Sequence, residues 1–174
     1  MKTILSKQQI ALTVKRLAHQ MLENHLQLHN TIIIGLQPRG VFLSDKIVDE
    51  LKNLVEPSSL QYGKLDITFY RDDVRTSLHV ANKTDIPFSI EEKNIILIDD
   101  VLWTGRTIRA ALDALLDFGR PSKVELCVLI DRRFSRQLPI QPDYTGRAID
   151  TITSQKVKVF WQEKDDKECV ELIS

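Results

Sequence analysis

The chain has 174 residues, of which 43% are hydrophobic and 28% are charged, a composition typical of one water-soluble globular domain. Its 24 Lys and Arg balance 24 Asp and Glu, which excludes a protein that coats nucleic acid by overall charge but is compatible with a local basic face. There is neither a signal-peptide segment nor an apolar run of membrane-spanning length, and Cys127 and Cys169 indicate neither a metal site nor a disulfide. We therefore expect a cytoplasmic protein.

The first half of the chain shows helical and strand periodicities in turn. The predicted elements are a helix over 6–25 with Ser6 as its N-cap, a strand over 31–34, a helix over 41–54 and a strand over 64–70. Residues 71–92 are polar and have no clear period, which predicts a long mobile loop. Such a loop is uncommon unless it is functional.

The second half continues the alternation. The predicted elements are a buried strand over 94–98, a helix over 104–118, a strand over 124–130, a strand over 157–161 and an edge strand over 169–173. Strands that are apolar throughout are covered on both faces, so we expect a mostly parallel sheet. In such sheets the ligand binds beyond the carboxyl ends of the strands.

Two adjacent acids, Asp99 and Asp100, follow the apolar run over 95–98, and Thr-Gly-Arg-Thr occupies 104–107. One interpretation is a helix cap, because carboxylates stabilise the N-terminal end of a helix. The other is a ribose phosphate site. Backbone N–H groups at a helix start bind anions, glycine allows a close approach, and the two acids can accept hydrogen bonds from neighbouring sugar hydroxyls.

The stretch IILIDDVLWTGRT (95–107) resembles the phosphoribosyl pyrophosphate (PRPP) motif of type I phosphoribosyltransferases. The resemblance implies that Asp99 and Asp100 hold the ribose hydroxyls. It also implies that the 5′-phosphate is bound by Thr104, Gly105, Arg106 and Thr107.

Four segments extend the resemblance over nearly the whole chain: GLQPRG (35–40), LDITFYRDD (65–73), DDVLWTGRTIRAALDALLDFGRPS (99–122) and LPIQPDYTGRAI (138–149). They are similar to the PyrR family of pyrimidine operon attenuators and uracil phosphoribosyltransferases. The implied α/β fold is one type I phosphoribosyltransferase domain over 1–174, with a mostly parallel sheet flanked by helices, a flexible loop over about 71–92 and a small hood over about 131–155. The implied reaction converts uracil and PRPP into UMP and pyrophosphate with Mg²⁺, which is held mainly by PRPP, and the implied assembly is a dimer or tetramer.

Two segments are candidates for the pyrophosphate. Arg39 and Gly40 follow the strand over 31–34, where an ordinary turn is the alternative. Arg71 opens the polar loop, where a solvated charge run is the alternative. No Ser-His or Cys-His arrangement indicates a protein nucleophile.

The base pocket is assigned to Trp103, Asp131 and Arg132. Purine-specific members of the fold have an acid at the position of Trp103, so the tryptophan favours a pyrimidine, unless it is simply a packing aromatic. Asp131 and Arg132 end a predicted strand, where a surface ion pair is the alternative.

The resemblance also implies an RNA-binding face. Its candidate residues are Lys15, Arg16, His19 and Arg147. The chain departs from the family pattern at Arg133-Phe134, at Gln141 and in the lysine-free stretch 151–155, and fewer cations predict weaker RNA binding. The alternatives to the enzyme are therefore an RNA-binding regulator that only senses UMP or PRPP, and a phosphoribosyltransferase for another base.

Overall fold

A parallel five-stranded sheet with strand order β3-β2-β4-β5-β6 forms the centre of the computed structural model, which describes residues 1–72, 81 and 83–173. The strands are β1 Lys2–Leu5, β2 Thr31–Leu36, β3 Gln61–Leu65, β4 Asn94–Leu102, β5 Lys123–Arg133, β6 Tyr144–Asp150, β7 Lys156–Phe160 and β8 Cys169–Ile173. The helices are α1 Lys7–Asn24, α2 Gly40–Leu51, α3 Arg106–Leu115 and α4 Gln162–Asp165, and short 3₁₀ turns cover Leu26–Leu28, Pro57–Ser59 and Thr68–Tyr70. The expected type of sheet is confirmed.

Both faces of the sheet are buried, as the apolar strands predict. Ile33 of β2 belongs to the core beneath α1 and α2, whereas its neighbours Ile32 and Ile34 belong to the core beneath α3. Each of these side chains is fully buried, which contributes about 1.5–3 kcal/mol per residue. Ser6 caps α1 as predicted, in a capping box with Gln9. No helix in the described part of the chain is long and apolar enough to cross a membrane.

A second, antiparallel sheet has the order β1-β8-β7 and joins the two ends of the chain. β1 was not predicted from the sequence. β8 lies in the middle of this sheet, so its prediction as an edge strand is wrong. The segment expected to form the hood, 131–155, instead contains β6, the edge strand of the central sheet. The small sheet uses residues after 155 and before 6.

Several boundaries also differ from prediction. β4 continues to Leu102, so Asp99 and Asp100 lie inside the strand and not after it. α3 is shorter than the predicted 104–118 and begins at Arg106. β3 ends at Leu65, and Phe69, expected to alternate into a strand, is 84% exposed on a 3₁₀ turn.

The predicted mobile loop over 71–92 is only partly described, because 73–80 and 82 lie outside the described residues. Its last part is packed against the sheet. Asp85 and Lys64 exchange backbone hydrogen bonds of 2.8 and 2.9 Å, and Ile90 is fully buried. This packing was not predicted, since the apolar positions there are too sparse to show a period, and the mobility of the loop stays a prediction.

Candidate active site

A cleft of about 600 Å³ opens at the carboxyl ends of the central strands, as expected for a parallel sheet. It combines the ends of β4 and β5 with the start of α3 and with β7 of the small sheet. Its lining residues are Arg39, Arg71, Asp99, Asp100, Val101, Leu102, Trp103, Thr104, Gly105, Arg106, Thr107, Ile108, Arg132, Gln137, Val157, Lys158 and Val159. Most of the sequence-predicted ligand-binding residues are thus brought to one cleft.

The acid pair is buried at the floor of the cleft. Asp99 and Asp100 are 7% and 8% exposed, and the backbone N–H of Asp100 donates to Oδ1 of Asp99 over 2.9 Å. Burial, followed by the charge of Asp100, raises the pKa of Asp99 to about 8. Burial also raises the pKa of Asp100, an effect that Arg39 opposes. The helix-cap interpretation is wrong, because the N-cap of α3 is Gly105 and no side chain caps it.

The Thr-Gly-Arg-Thr turn forms the junction of β4 and α3. Gly105 has a φ of 94°, a left-handed conformation that side chains disfavour, and a Cβ there would lie 3.3 Å from Leu138 and Ile140. Thr104 Oγ1 accepts from the backbone N–H of Arg106 over 3.3 Å. The Arg106 side chain is directed to Asp72, at 3.0 Å. The turn therefore presents a helix N-terminus to the cleft.

A brace that sequence reasoning missed holds this turn. The backbone N–H groups of Gln137 and Leu138 donate to the Thr104 carbonyl over 2.9 and 3.1 Å. Arg136 donates to the Trp103 carbonyl over 2.5 Å and to Asp131 over 2.6 Å. No periodicity marks these residues, because their role arises only when β4 and β5 pair.

The predicted pyrophosphate residues reach the same floor. Arg39 lies at the N-terminus of α2, with Nε 3.4 Å from Asp100 Oδ2 and further bonds to the Val159 carbonyl and to Asp165. Gly40 is packed so closely that a Cβ would lie 2.6 Å from the Ile98 carbonyl oxygen. Arg71 lines the cleft, and its charge lowers the pKa of Asp99. Arg39 thus connects the acid pair to the small sheet.

Trp103 and Arg132, both predicted to form the base pocket, lie together in the cleft. Trp103 is 43% exposed, which does not fit a core packing aromatic, and the guanidinium carbon of Arg132 lies 4.8 Å from its ring centroid. Arg132 is only 4% exposed, so the alternative of a surface ion pair is wrong. Asp131 pairs with Arg136 and lines a neighbouring cavity of about 470 Å³ with Phe134, so its side chain does not line the cleft.

The four predicted RNA-binding residues also come together, away from the cleft, where α1 packs on β6. Arg16 donates to the carbonyls of Thr145 and Gly146 over 3.2 and 2.6 Å, and Arg147 donates to the Ile4 carbonyl over 2.5 Å. His19 Nδ1 donates to the Lys15 carbonyl over 2.8 Å. All four side chains belong to exposed residues.

Comparison with known proteins identifies the family. Residues 1–167 match the model of the phosphoribosyl transferase domain. The bifunctional protein PyrR of Picosynechococcus sp. is 47% identical over 98% of this chain and 96% of the relative. The bifunctional protein PyrR of Pelotomaculum thermopropionicum is 42% identical over 98% and 94% of the two chains.

Solved structures support the fold at much lower identity. A hypoxanthine-guanine phosphoribosyltransferase from Bacillus anthracis superposes with a TM-score of 0.73 at 19% identity, over 100% of this chain and 98% of that one. The hypoxanthine phosphoribosyl transferase of Trypanosoma cruzi gives 0.75 at 16% identity, over 100% and 91%. These two likenesses show the type I phosphoribosyltransferase architecture, and the full-length identity to the two closer relatives shows that this chain belongs to the PyrR family of phosphoribosyltransferases.

Proposed function

We propose that the protein transfers a phosphoribosyl group from PRPP to N1 of uracil and releases pyrophosphate. The observation that carries the proposal is that the acid pair Asp99–Asp100 and the turn over 104–107 face one cleft. The acids accept hydrogen bonds from the two ribose hydroxyls, and the helix N-terminus binds the 5′-phosphate. Membership of the PyrR family supports uracil as the base.

The reaction needs no protein nucleophile. The bond from the anomeric carbon to pyrophosphate breaks, and its electron pair leaves with pyrophosphate. The N1 lone pair of uracil then forms the new bond, while the N1 proton passes to solvent. Arg39 and Arg71 stabilise the charge on pyrophosphate, and the buried carboxylates stabilise the cationic ribosyl group, so catalysis rests on positioning and electrostatics.

Magnesium fits this arrangement as a partner of PRPP. Within residues 1–72, 81 and 83–173 no cluster of three or more His, Cys, Asp or Glu side chains is arranged to hold a metal. Asp99 and Asp100 are the carboxylates of the described chain that line the cleft, so PRPP oxygens and water complete the coordination. When bound, Mg²⁺ neutralises charge on the leaving pyrophosphate.

A substrate panel tests the proposal. The protein is incubated with PRPP and Mg²⁺ and with uracil, hypoxanthine, guanine or xanthine in turn, and the nucleotide formed is measured. We expect UMP from uracil and no product after Asp99→Asn with Asp100→Asn. Turnover with a purine alone would assign the enzyme to another base. Tight UMP binding without turnover with any base would favour a regulator that only senses nucleotides.

We also propose a regulatory role through messenger RNA, because the α1–β6 surface places Lys15, Arg16, His19 and Arg147 on one exposed face. Phosphate contacts from such cations give binding that weakens with salt. The test is retention of a transcript leader of a pyrimidine operon with and without UMP at several salt concentrations. Retention that is independent of UMP would contradict the role.

Self-association into a dimer or tetramer is part of the proposal. Leu112 and Leu116, one turn apart on and just after α3, are 38% and 67% exposed. Light scattering after size exclusion measures the mass, and a monomer at micromolar concentration would contradict this assembly.

A further inference from the structure

Arg132 is a buried cation for which the described part of the chain provides no carboxylate partner. Its Nε donates to Thr151 Oγ1 over 3.0 Å, and its Nη2 donates to the Gln155 carbonyl over 2.8 Å. Thr151 is itself only 6% exposed. Burying an unpaired charge is costly unless another group compensates it, and a bound ligand is such a group.

The remaining nitrogen of this guanidinium, Nη1, is available to a ligand in the cleft. Arg132 lines the cleft, and in the described residues Nη1 has no hydrogen-bond partner from the protein. The Trp103 ring covers the guanidinium from one side at 4.8 Å. Trp103 and Thr151 together hold the guanidinium group of Arg132 in one orientation.

The position along the cleft identifies what Nη1 meets. The acid pair takes the ribose and the turn over 104–107 takes the phosphate, so the base meets the wall formed by Trp103, Arg132 and Val157. In the described chain, the acids that line the cleft are Asp99 and Asp100, both at the ribose end. The base end therefore offers a donor and positive charge, which suits a carbonyl oxygen and opposes an amino group.

We propose that Arg132 is a specificity residue that donates from Nη1 to the C4 carbonyl of uracil and so selects uracil against cytosine, with Thr151 as its positioning residue. The inference rests on the proposed transfer to uracil and deepens it. Cytosine carries an amino group at C4, so that a hydrogen-bond donor of the base would face the N–H donor of Arg132 Nη1. As the N1 proton leaves to solvent, negative charge spreads over the ring carbonyls of uracil, and the guanidinium stabilises that charge before N1 donates its electrons to the new bond.

The first test compares Arg132→Gln with the control Arg133→Gln. Arg133 is the exposed neighbour, whose Nε lies 2.7 Å from Asp150 Oδ1 and which does not line the cleft. We expect Arg132→Gln to lower kcat/KM for uracil by about 10- to 100-fold, the usual effect of a charge-assisted hydrogen bond. The ratio of uracil to cytosine turnover should fall by a similar factor, while the control retains both values.

The second test uses Thr151→Val and Thr151→Ser. Valine removes the acceptor of Nε at nearly the same volume, and serine restores it. We expect valine to lower kcat/KM for uracil several-fold with the KM for PRPP unchanged, and serine to recover the wild-type value. A purely structural role of Thr151 would change the KM for both substrates and the melting temperature together.

The outcomes separate the two proposals. A wild-type protein that makes no UMP would overturn the transfer reaction itself and the inference with it. A wild-type protein that makes UMP, with an Arg132→Gln variant that keeps its preference for uracil over cytosine, would overturn only the inference. Because the KM for PRPP is measured in each variant, a misfolded variant is recognised and replaced by Arg132→Lys, which keeps the charge and loses the fork.

Discussion

The proposed ribose-phosphate end and the proposed base end of the cleft are built in different ways. The first is one contiguous stretch, in which β4 supplies the acids and the turn into α3 supplies the anion site, all within residues 99–107. The second is assembled from Trp103, Arg132 and the segment over 151–159. A contiguous site keeps its geometry through local backbone conformation, whereas an assembled site depends on strand pairing and on side chains that brace one another.

The two ends also differ in charge. Two buried carboxylates and a buried guanidinium line the cleft. In the proposed reaction the carboxylates face the ribosyl group as it becomes cationic, and the guanidinium faces the base as it loses its N1 proton. Each charge costs free energy in the unliganded protein and is compensated when the ligand arrives. Variants that remove one charge at a time therefore separate the stability of the fold from the function of the cleft.

Removing the acid pair should have the largest effect. We expect Asp99→Asn with Asp100→Asn to reduce UMP formation by more than about 10³-fold, or roughly 4 kcal/mol of transition-state stabilisation. The same variant should unfold at a higher temperature at pH 8.5, where both acids are ionised, because two repelling, desolvated carboxylates are gone. Steady-state kinetics and thermal unfolding in the absence of ligands measure the two effects.

The matched control is Asp113→Asn, which changes an exposed carboxylate that pairs with Arg109 four residues away. This variant should keep wild-type turnover and stability within about 0.5 kcal/mol. A double variant at the acid pair that is less stable than the wild type would contradict the view that these acids are kept for function at the expense of stability.

Gly40→Ala should have the next largest effect. The added Cβ would lie 2.6 Å from the Ile98 carbonyl oxygen and 2.9 Å from Asp99 Cα, so α2 must move away from β4. We expect a loss of about 2–3 kcal/mol in the free energy of unfolding, the usual cost of overpacking a closely packed contact. Urea denaturation measures it, and an unchanged midpoint would show that α2 shifts without strain.

The contiguous end was predictable from the sequence because its residue types, order and spacing are those that the chemistry requires. The acids, the turn over 104–107 and the sheet behind them were identified from local patterns, although the end of the strand was placed at 98 and not at Leu102. The apolar run ends before the first charged residue, Asp99, whereas the hydrogen bonding of β4 continues to Leu102.

The assembled end was only partly predictable. Trp103 and Arg132 were identified, but Asp131 pairs with Arg136 and does not line the cleft, and Gln137 and Lys158 were missed as cleft-lining residues. Hydrophobic periodicity does not predict which residue a polar loop side chain will contact in the folded protein. Its contacts follow from the parallel pairing of β4 with β5 and from the small sheet that joins both chain ends.

A pH dependence of stability should follow from Asp99. Its pKa is raised to about 8 in the folded protein, whereas an unfolded aspartate titrates near pH 4. Between these values the folded state holds a proton that the unfolded state releases, so stability falls as the pH rises and levels off above about 8. Urea denaturation from pH 5 to 8.5 measures this fall, and Asp99→Asn should lack most of it.

Arg136→Met should have the smallest of these effects, and it tests the junction between the two ends. Arg136 binds the Trp103 carbonyl in the turn region and Asp131 at the end of β5, so it transmits the position of one end to the other. We expect the KM for PRPP to rise about tenfold, or about 1.4 kcal/mol, because the turn proposed to bind the phosphate loses one of its braces.

The control Arg133→Met removes an exposed pair with Asp150 and should leave this KM unchanged. An equal rise in the control would assign the effect to the general charge of the segment, whereas a rise in the KM for uracil alone would show that Arg136 serves the base end and that the turn is held by Gln137 and Leu138.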